Sequence, residues 1–214
     1  MSQTPLIRII DDAPTVSESL SFVLEVAGFT VKAYANPSDF LALDDFSRTG
    51  ALLLDVRMPA MTGLELQNRM KHDQIDLPIV FLSAHGDIEM AVEAVHNGAV
   101  DFLVKPPKPE KLIAVLEKAC RECEAREALK AELADMESEF ARLTPAEQET
   151  AFFLAKGLSS REIASLLNVS DETVRSRRST VYKKLDLRGS VEVAQFLARR
   201  DNLRRTVGRS GLQA

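Results

Sequence analysis

No apolar run in this 214-residue sequence approaches the ~18 residues needed to span a bilayer. The opening MSQTPLIRIIDD meets two acids where a secretion signal would still be hydrophobic, so a cytoplasmic chain with no membrane partner is expected. Cysteine is scarce. Cys120 and Cys123 form the one C-x-x-C, with no second pair and no histidine nearby, whereas a zinc site would want four ligands. They read instead as two small residues one turn apart on a helix. Between Pro109 and Arg142 there is no glycine and no further proline, so nothing interrupts one long helix. The hydrophobic fraction, 45%, excludes a disordered or fibrous chain.

The net charge of −5 hides an asymmetry. Residues 1–120 carry 10 Lys/Arg against 17 Asp/Glu, and residues 121–142 carry 4 against 7, whereas residues 143–214 carry 13 against 8. An acidic front and a basic back imply separate tasks, the basic one facing phosphate backbones.

The first 120 residues alternate short β-rich runs with longer helical patterns. Strands are predicted at Leu6–Ile10, Thr30–Tyr34, Ala51–Leu54, Ile79–Leu82 and Phe102–Val104. Helix starts are signalled by Asn36-Pro37, Gly63, Asp87 and Pro109, and helix ends by Gly28 and Gly98. Five strands alternating with five helices predict a doubly wound (βα)5 parallel sheet, and the apolar runs IRII, ALLL and IVFL suit strands buried on both faces.

Along the long helix, Leu129, Leu133, Met136, Phe140 and Leu143 alternate spacings of four and three. Such a seam serves either a two-chain coiled coil or a helix laid against its own domains. Thr144-Pro145-Ala146-Glu147 and Ser159-Ser160-Arg161-Glu162 are capping boxes, each opening a short helix. Asn168-Val169-Ser170 is a tight turn before a helix reaching about Leu185. A last helix is expected from Ser190 to about Arg200, with a frayed basic tail from Asn202.

In an open parallel sheet, chemistry sits at the carboxyl ends of the strands. Here those ends carry Asp11-Asp12, Asp55, Ser83 and Lys105-Pro106. Singly, each is an ordinary turn or cap residue; together they place three carboxylates, a hydroxyl and an ammonium on one rim. Clustered carboxylates repel, and a divalent cation such as Mg²⁺, which takes oxygen ligands, relieves the repulsion. Asp55 is then a nucleophile for a phosphoryl group, with Lys105 and Ser83 holding the phosphoryl oxygens.

The segments IIDD, LLLDVRMPAMTGLEL, IVFLSAHGD and GAVDFLVKP resemble the receiver domain of FixJ/NarL-type two-component response regulators. The resemblance implies that Asp55 accepts phosphate from a sensor histidine kinase. It implies Mg²⁺ on Asp12, Asp55 and the main-chain carbonyl of Arg57, with Asp11 acting largely through water. Ser83 and Phe102 become the switch pair, Lys105-Pro106 a cis peptide, and phosphorylation a trigger for homodimerisation through residues 87–120. Ala13 stands where a third acid is common, and Pro107 where an aromatic is usual.

In the back half, a short capped helix, a tight turn and a longer basic helix are helix-turn-helix geometry. Val174, Val181 and Leu185 share an inward face. Arg175, Ser176, Arg178, Ser179 and Lys183 lie opposite, where arginine and serine reach base edges and lysine pairs with phosphates. Asp186 is the one acid between Glu172 and Glu192. The stretch from LTPAE through GLSSREIA, NVSDETV and KKL resembles the LuxR-type helix-turn-helix, departing from it at Ser176 and Arg177. That implies a recognition helix over Asp171–Leu185, a dimerisation helix over Ser190–Arg199, and double-stranded DNA and RNA polymerase as partners. The expected organisation is a receiver over 1–120, a helical linker over 121–142 and an all-α DNA-binding domain over 143–214.

An enzyme reading fails on one residue. Dehalogenase-like phosphotransferases need a second aspartate two positions after the nucleophile, and Arg57 stands there. A ligand-sensing LuxR-type regulator would need a sensing domain where this chain has a phosphorylation site. A protein- or RNA-binding output would be separated from a DNA-binding one by salt-dependent binding to duplex DNA and RNA.

Overall fold

In the computed structural model the described residues are 4–84 and 88–213, without the side chains of 88–89 and 209–213. Asp87, expected to cap a helix, lies outside the described residues. The chain forms two compact units that divide between Glu127 and Ala128.

In the first unit, strands β1 (Leu6–Ile10), β2 (Thr30–Tyr34), β3 (Gly50–Asp55), β4 (Ile79–Ser83) and β5 (Asp101–Val104) form one sheet in the order β2-β1-β3-β4-β5, with every pairing parallel. Helices α1 (Pro14–Val26), α2 (Pro37–Leu43), α3 (Gly63–His72), α4 (Ile88–His96) and α5 (Pro109–Ala141) alternate with the strands. Because side chains alternate across a strand, neighbouring strand residues enter different cores. Leu52 and Leu54 meet Phe40, Leu66, Met70 and Ala94 on the α2–α3–α4 side, while Ile7, Ile9 and Leu53 meet Leu20, Leu24, Leu112 and Leu116 on the α1–α5 side. This is the predicted doubly wound sheet. Gly28 and Gly98, just past α1 and α4, have φ of 91° and 96°, a positive-φ conformation that ends a helix at least cost for glycine. Cys120 and Cys123 are buried free thiols, one in each core, and burial pushes the Cys120 thiol up to about 12. They pack as apolar residues.

The second unit, Ala128–Arg209, contains the last turns of α5, helices α6 (Pro145–Ala155), α7 (Ser160–Leu167) and α8 (Asp171–Leu185), and, as far as Arg209, helix α9 (Ser190–Gln213). Both predicted capping boxes are present, at Thr144/Glu147 and Ser159/Glu162. Asn168 closes α7 in the left-handed conformation and Ser170 caps α8. Phe140, Leu143, Leu154, Ile163, Val174, Val181, Leu185, Val193 and Leu197 form the core.

Two expectations about this unit change. The last helix does not fray near Arg200; it continues to Gln213. Arg199 and Arg204 each pair bidentately with an acid on α5, Glu132 and Glu137 respectively, at 2.5–2.8 Å. Between them the nearly buried Arg200 guanidinium lies 3.9 Å from the centre of the Phe140 ring, and Leu203 is buried. Tertiary contacts thus hold residues whose local sequence reads as a tail. The seam along α5 is also partly spent, because Phe140 and Leu143 belong to this unit's own core and are closed to a second chain. Leu129, Leu133 and Met136 are half-buried. Residues 121–142, expected as a linker, divide between the units, with Cys123 in the first core and Phe140 in the second.

Candidate functional site

The sheet order reverses between β1 and β3, which opens a crevice beyond their carboxyl ends. Asp11 and Asp12 follow β1, Asp55 ends β3 and Ser83 ends β4. One oxygen from each of Asp11, Asp12 and Asp55 lies within 4.8 Å of the others. Lys105 reaches in from beyond β5, with Nζ 2.5 Å from Asp11 Oδ2 and 3.0 Å from Asp55 Oδ1. The Lys105 main-chain N–H donates to the Ser83 carbonyl at 2.8 Å, which ties the ends of β4 and β5 together. The Lys105-Pro106 peptide is cis, as the resemblance implied.

Electrostatics follow from this packing. Burial pushes the Asp55 carboxyl up; contact with Lys105 pulls it back, and neighbouring Asp11 raises it again. Burial works against the charge on Lys105, but its bonds to Asp11 and Asp55 outweigh that and raise its pKa. Asp11 is further fixed by accepting the Ala13 N–H at 3.0 Å. Asp12 is exposed, so the rim is open to solvent on its side. Ser83 is buried. Phe102 is half-buried, its ring centre 6.4 Å from that of Phe81, and the Arg57 side chain is exposed.

The second unit presents a different surface. Val174, Val181 and Leu185 turn α8 inward, leaving Arg175, Ser176, Ser179 and Lys183 exposed and Arg178 half-buried beneath solvent. The Arg178 guanidinium lies 5.4 Å from the centre of the Tyr182 ring, which lays it along its own helix. Lys184 is occupied elsewhere, 2.7 Å from Glu147 Oε2 in the α6 capping box. An open cleft of about 630 Å³ between α7 and α8 is lined by Ser159, Ser160, Arg161, Asp171, Arg175 and Arg178.

Comparison with known proteins agrees with both halves. Residues 7–117 match the response regulator receiver domain, and residues 141–197 match the luxR family of bacterial regulatory proteins. The chain belongs to the response regulators. It is 37% identical to the transcriptional regulatory protein FixJ of Bradyrhizobium diazoefficiens, over 90% of this chain and 94% of that protein. It is also 37% identical to the tetrathionate response regulatory protein TtrR of Salmonella typhimurium, over 84% of this chain and 85% of the relative. Among solved structures, response regulator StyR aligns with a TM-score of 0.85 at 32% identity, covering 92% of this chain and 100% of that one. Full-length FixJ from B. japonicum aligns at 0.56 with 34% identity, covering 94% and 99%. As a member of this family, the protein is a phosphorylation-dependent transcription regulator and not an enzyme. No helix among the described residues is long and apolar enough to cross a membrane.

The rim of this response regulator brings together the residues expected from strand ends, but Gly63, read from the sequence only as a helix start, also shapes it. A Cβ on Gly63 would lie 2.3 Å from the Asp55 carbonyl oxygen, so only glycine lets α3 start this close to the acid. Its signal was the M-T-G run eight residues after Asp55. On the second unit, sequence reasoning missed Arg161 and Asp171, because the cleft they line with Arg175 joins two helices.

Proposed function

We propose that Asp55 is the phosphoacceptor and that its phosphorylation by a sensor histidine kinase drives dimerisation and sequence-specific binding to duplex DNA. The observation that carries this is the contact of one ammonium, Lys105, with two carboxylates on a solvent-open rim. An Asp55 oxygen attacks the phosphorus of a phosphohistidine, forming an O–P bond as the N–P bond breaks and the histidine takes up a proton. Lys105, already 3.0 Å from Asp55 Oδ1, is positioned to meet the charge on the transferred oxygens, and the Ser83 hydroxyl to hydrogen-bond them.

The rim also fits Mg²⁺. Among the described residues, three carboxylates within 4.8 Å face one ammonium, leaving excess negative charge on an all-oxygen donor set. Asp12, Asp55 and the Arg57 carbonyl would hold the ion, with Asp11 one water removed. When bound, it supplies positive charge to the phosphoryl oxygens.

Ser83 and Phe102 form the switch pair. Dimerisation uses the face of α4, β5 and the start of α5, where Val92, Val95 and Val104 are each more than half exposed. On α8, Arg175, Ser176, Arg178 and Ser179 meet base edges and Lys183 a phosphate. RNA polymerase is the downstream partner, and the cytoplasm is the compartment such partners require.

Sedimentation and operator footprinting, with and without acetyl phosphate and Mg²⁺, test this reading together. Phosphate-dependent dimers and stronger footprints are expected. A phosphorylated monomer that binds DNA more tightly would replace dimerisation with relief of an inhibitory contact. A Leu133→Glu variant that still dimerises would exclude the remaining seam on α5.

A further inference from the structure

Arg175 is not a free arginine. Its Nη2 lies 2.7 Å from Asp171 Oδ2, one turn earlier on α8. Asp171 is the first residue of that helix, where an acid is also favoured by the helix dipole, so its presence alone says little. Its surroundings say more. Among the described residues it is the only acid lining a cleft that contains three arginines, Arg161, Arg175 and Arg178. Its second oxygen, Oδ1, is enclosed and without a hydrogen-bond partner. With Oδ1 turned inward, the carboxylate presents Oδ2 to Arg175.

We propose that Asp171 is a positioning and specificity-determining residue for base reading: it aims the Arg175 guanidinium at a guanine edge and keeps it off the phosphate backbone. This rests on the reading that α8 enters the major groove and that Arg175 contacts a base.

The chemistry is that of the guanidinium fork. Arginine carries five N–H donors, and the contact with Asp171 uses a single Nη2–H. The second Nη2–H and both on Nη1 remain for bidentate donation to guanine O6 and N7, the arginine contact that discriminates best among base pairs. An unpaired arginine at this exposure, 72% for the side chain, has many rotamers and a nearby ladder of phosphates to satisfy it. Such a contact would bind every sequence alike. The carboxylate counters this in two ways: it removes rotamers, and its negative charge repels phosphate from the same end of the cleft. Arg161, on α7, lines the same cleft and suits the phosphate role.

The test is selection from a randomised duplex library by the full-length chain treated with acetyl phosphate and Mg²⁺, comparing wild type, Arg175→Ala, Asp171→Asn, Asp171→Glu and the Asp171→Asn/Arg175→Ala double variant. Arg175→Ala should erase the preference for guanine at one position. Asp171→Asn should weaken preference at that same position, by about fivefold or more, and at no other. Binding to random duplex should be unchanged or stronger. Asp171→Glu, which can still reach Arg175 across one turn, should restore the preference, and the double variant should match Arg175→Ala alone. A role confined to helix stability would lower thermal stability and weaken all positions evenly. Either that result, or an Asp171→Asn profile equal to wild type while Arg175→Ala loses its position, overturns the proposal and leaves base reading by Arg175 intact. An Arg175→Ala profile equal to wild type overturns the base-reading assignment, and this proposal with it.

Discussion

The two units solve opposite electrostatic problems. In the first, charges are gathered inward: the Asp11 side chain is 1% exposed and Lys105 only 18%, and they compensate one another at short range. In the second, charges are spread outward on one face of a helix, and Arg175 is 72% exposed. Buried pairs are little screened, and removing one partner strands the other. Exposed charges are screened within about 10 Å at moderate salt, and their strength lies in number and reach. The comparison teaches where each unit's precision resides. The rim depends on fixed positions at strand ends, so a single atom matters; the outward face of α8 presents a set of long, exposed side chains with no such fixed geometry.

The sharpest break between the two is expected at Asp55. Asp55→Asn should abolish labelling by acetyl phosphate while leaving the circular dichroism spectrum intact, because the substitution keeps shape and removes the nucleophile. Stoichiometric label on the variant would move the acceptor elsewhere.

Next in size is Phe140→Ala. Phe140 is 6% exposed and packs against Phe152 and Phe196 with Arg200 over its ring. Its truncation should cost the second unit about 3–5 kcal/mol. Differential scanning calorimetry should then show the transition of the output unit shifted down and that of the receiver unmoved. An equal shift in both would mean that the units fold as one.

Graded behaviour on the DNA face gives smaller effects. Arg175→Ala should cost ~1–3 kcal/mol on specific DNA and less on random DNA. Lys183→Ala should weaken both alike and lower the salt slope by about 1. Binding titrations at several salt concentrations separate the two, and identical behaviour would collapse the division between base and phosphate contacts.

The smallest effect concerns pH. The Lys184 ammonium, with help from the Thr144 cap, holds the Glu147 carboxyl below its ordinary value. A depressed folded pKa stabilises above the unfolded value, and the contribution is lost as pH falls through the folded one. Wild type should therefore lose more stability than Glu147→Gln as pH drops below about 4.5, measured by the urea midpoint of the second unit. Parallel curves for the two proteins would remove Glu147 from the pH response.

The sequence made the first unit legible because its information is local. Each strand is a short apolar run, and the residue that ends it is the residue of the rim; Asp11, Asp55, Ser83 and Lys105 could be placed by counting. Turn residues served equally well, as at Asn168 and Ser170. What stayed hidden was nonlocal. Arg204 read as part of a basic tail, and Arg199 as the end of a short helix, because their partners lie 67 residues earlier and no local pattern carries that pairing. Phe140 looked like a seam residue for the same reason, since its spacing is right for a coiled coil and its actual neighbours are on α6 and α9. Asp171 was read only as a helix start, because its ion pair with Arg175 is set by the folded path of both side chains.

The shared separation of 67 residues has a mechanical meaning. Glu132 precedes Glu137 as Arg199 precedes Arg204, so the end of α5 and the extension of α9 run side by side in the same direction, like two rules laid zero to zero. Such a pair is sensitive to phase and indifferent to the length of chain joining it. Lengthening the turn after α6 by a residue would leave both rules aligned. One residue added between Glu132 and Glu137 would turn everything beyond it by about 100°. Glu137 would lose Arg204, and Phe140 would rotate out from under Arg200. Length variants among natural relatives of this chain should therefore accumulate in its turns and be absent from those five positions of helix.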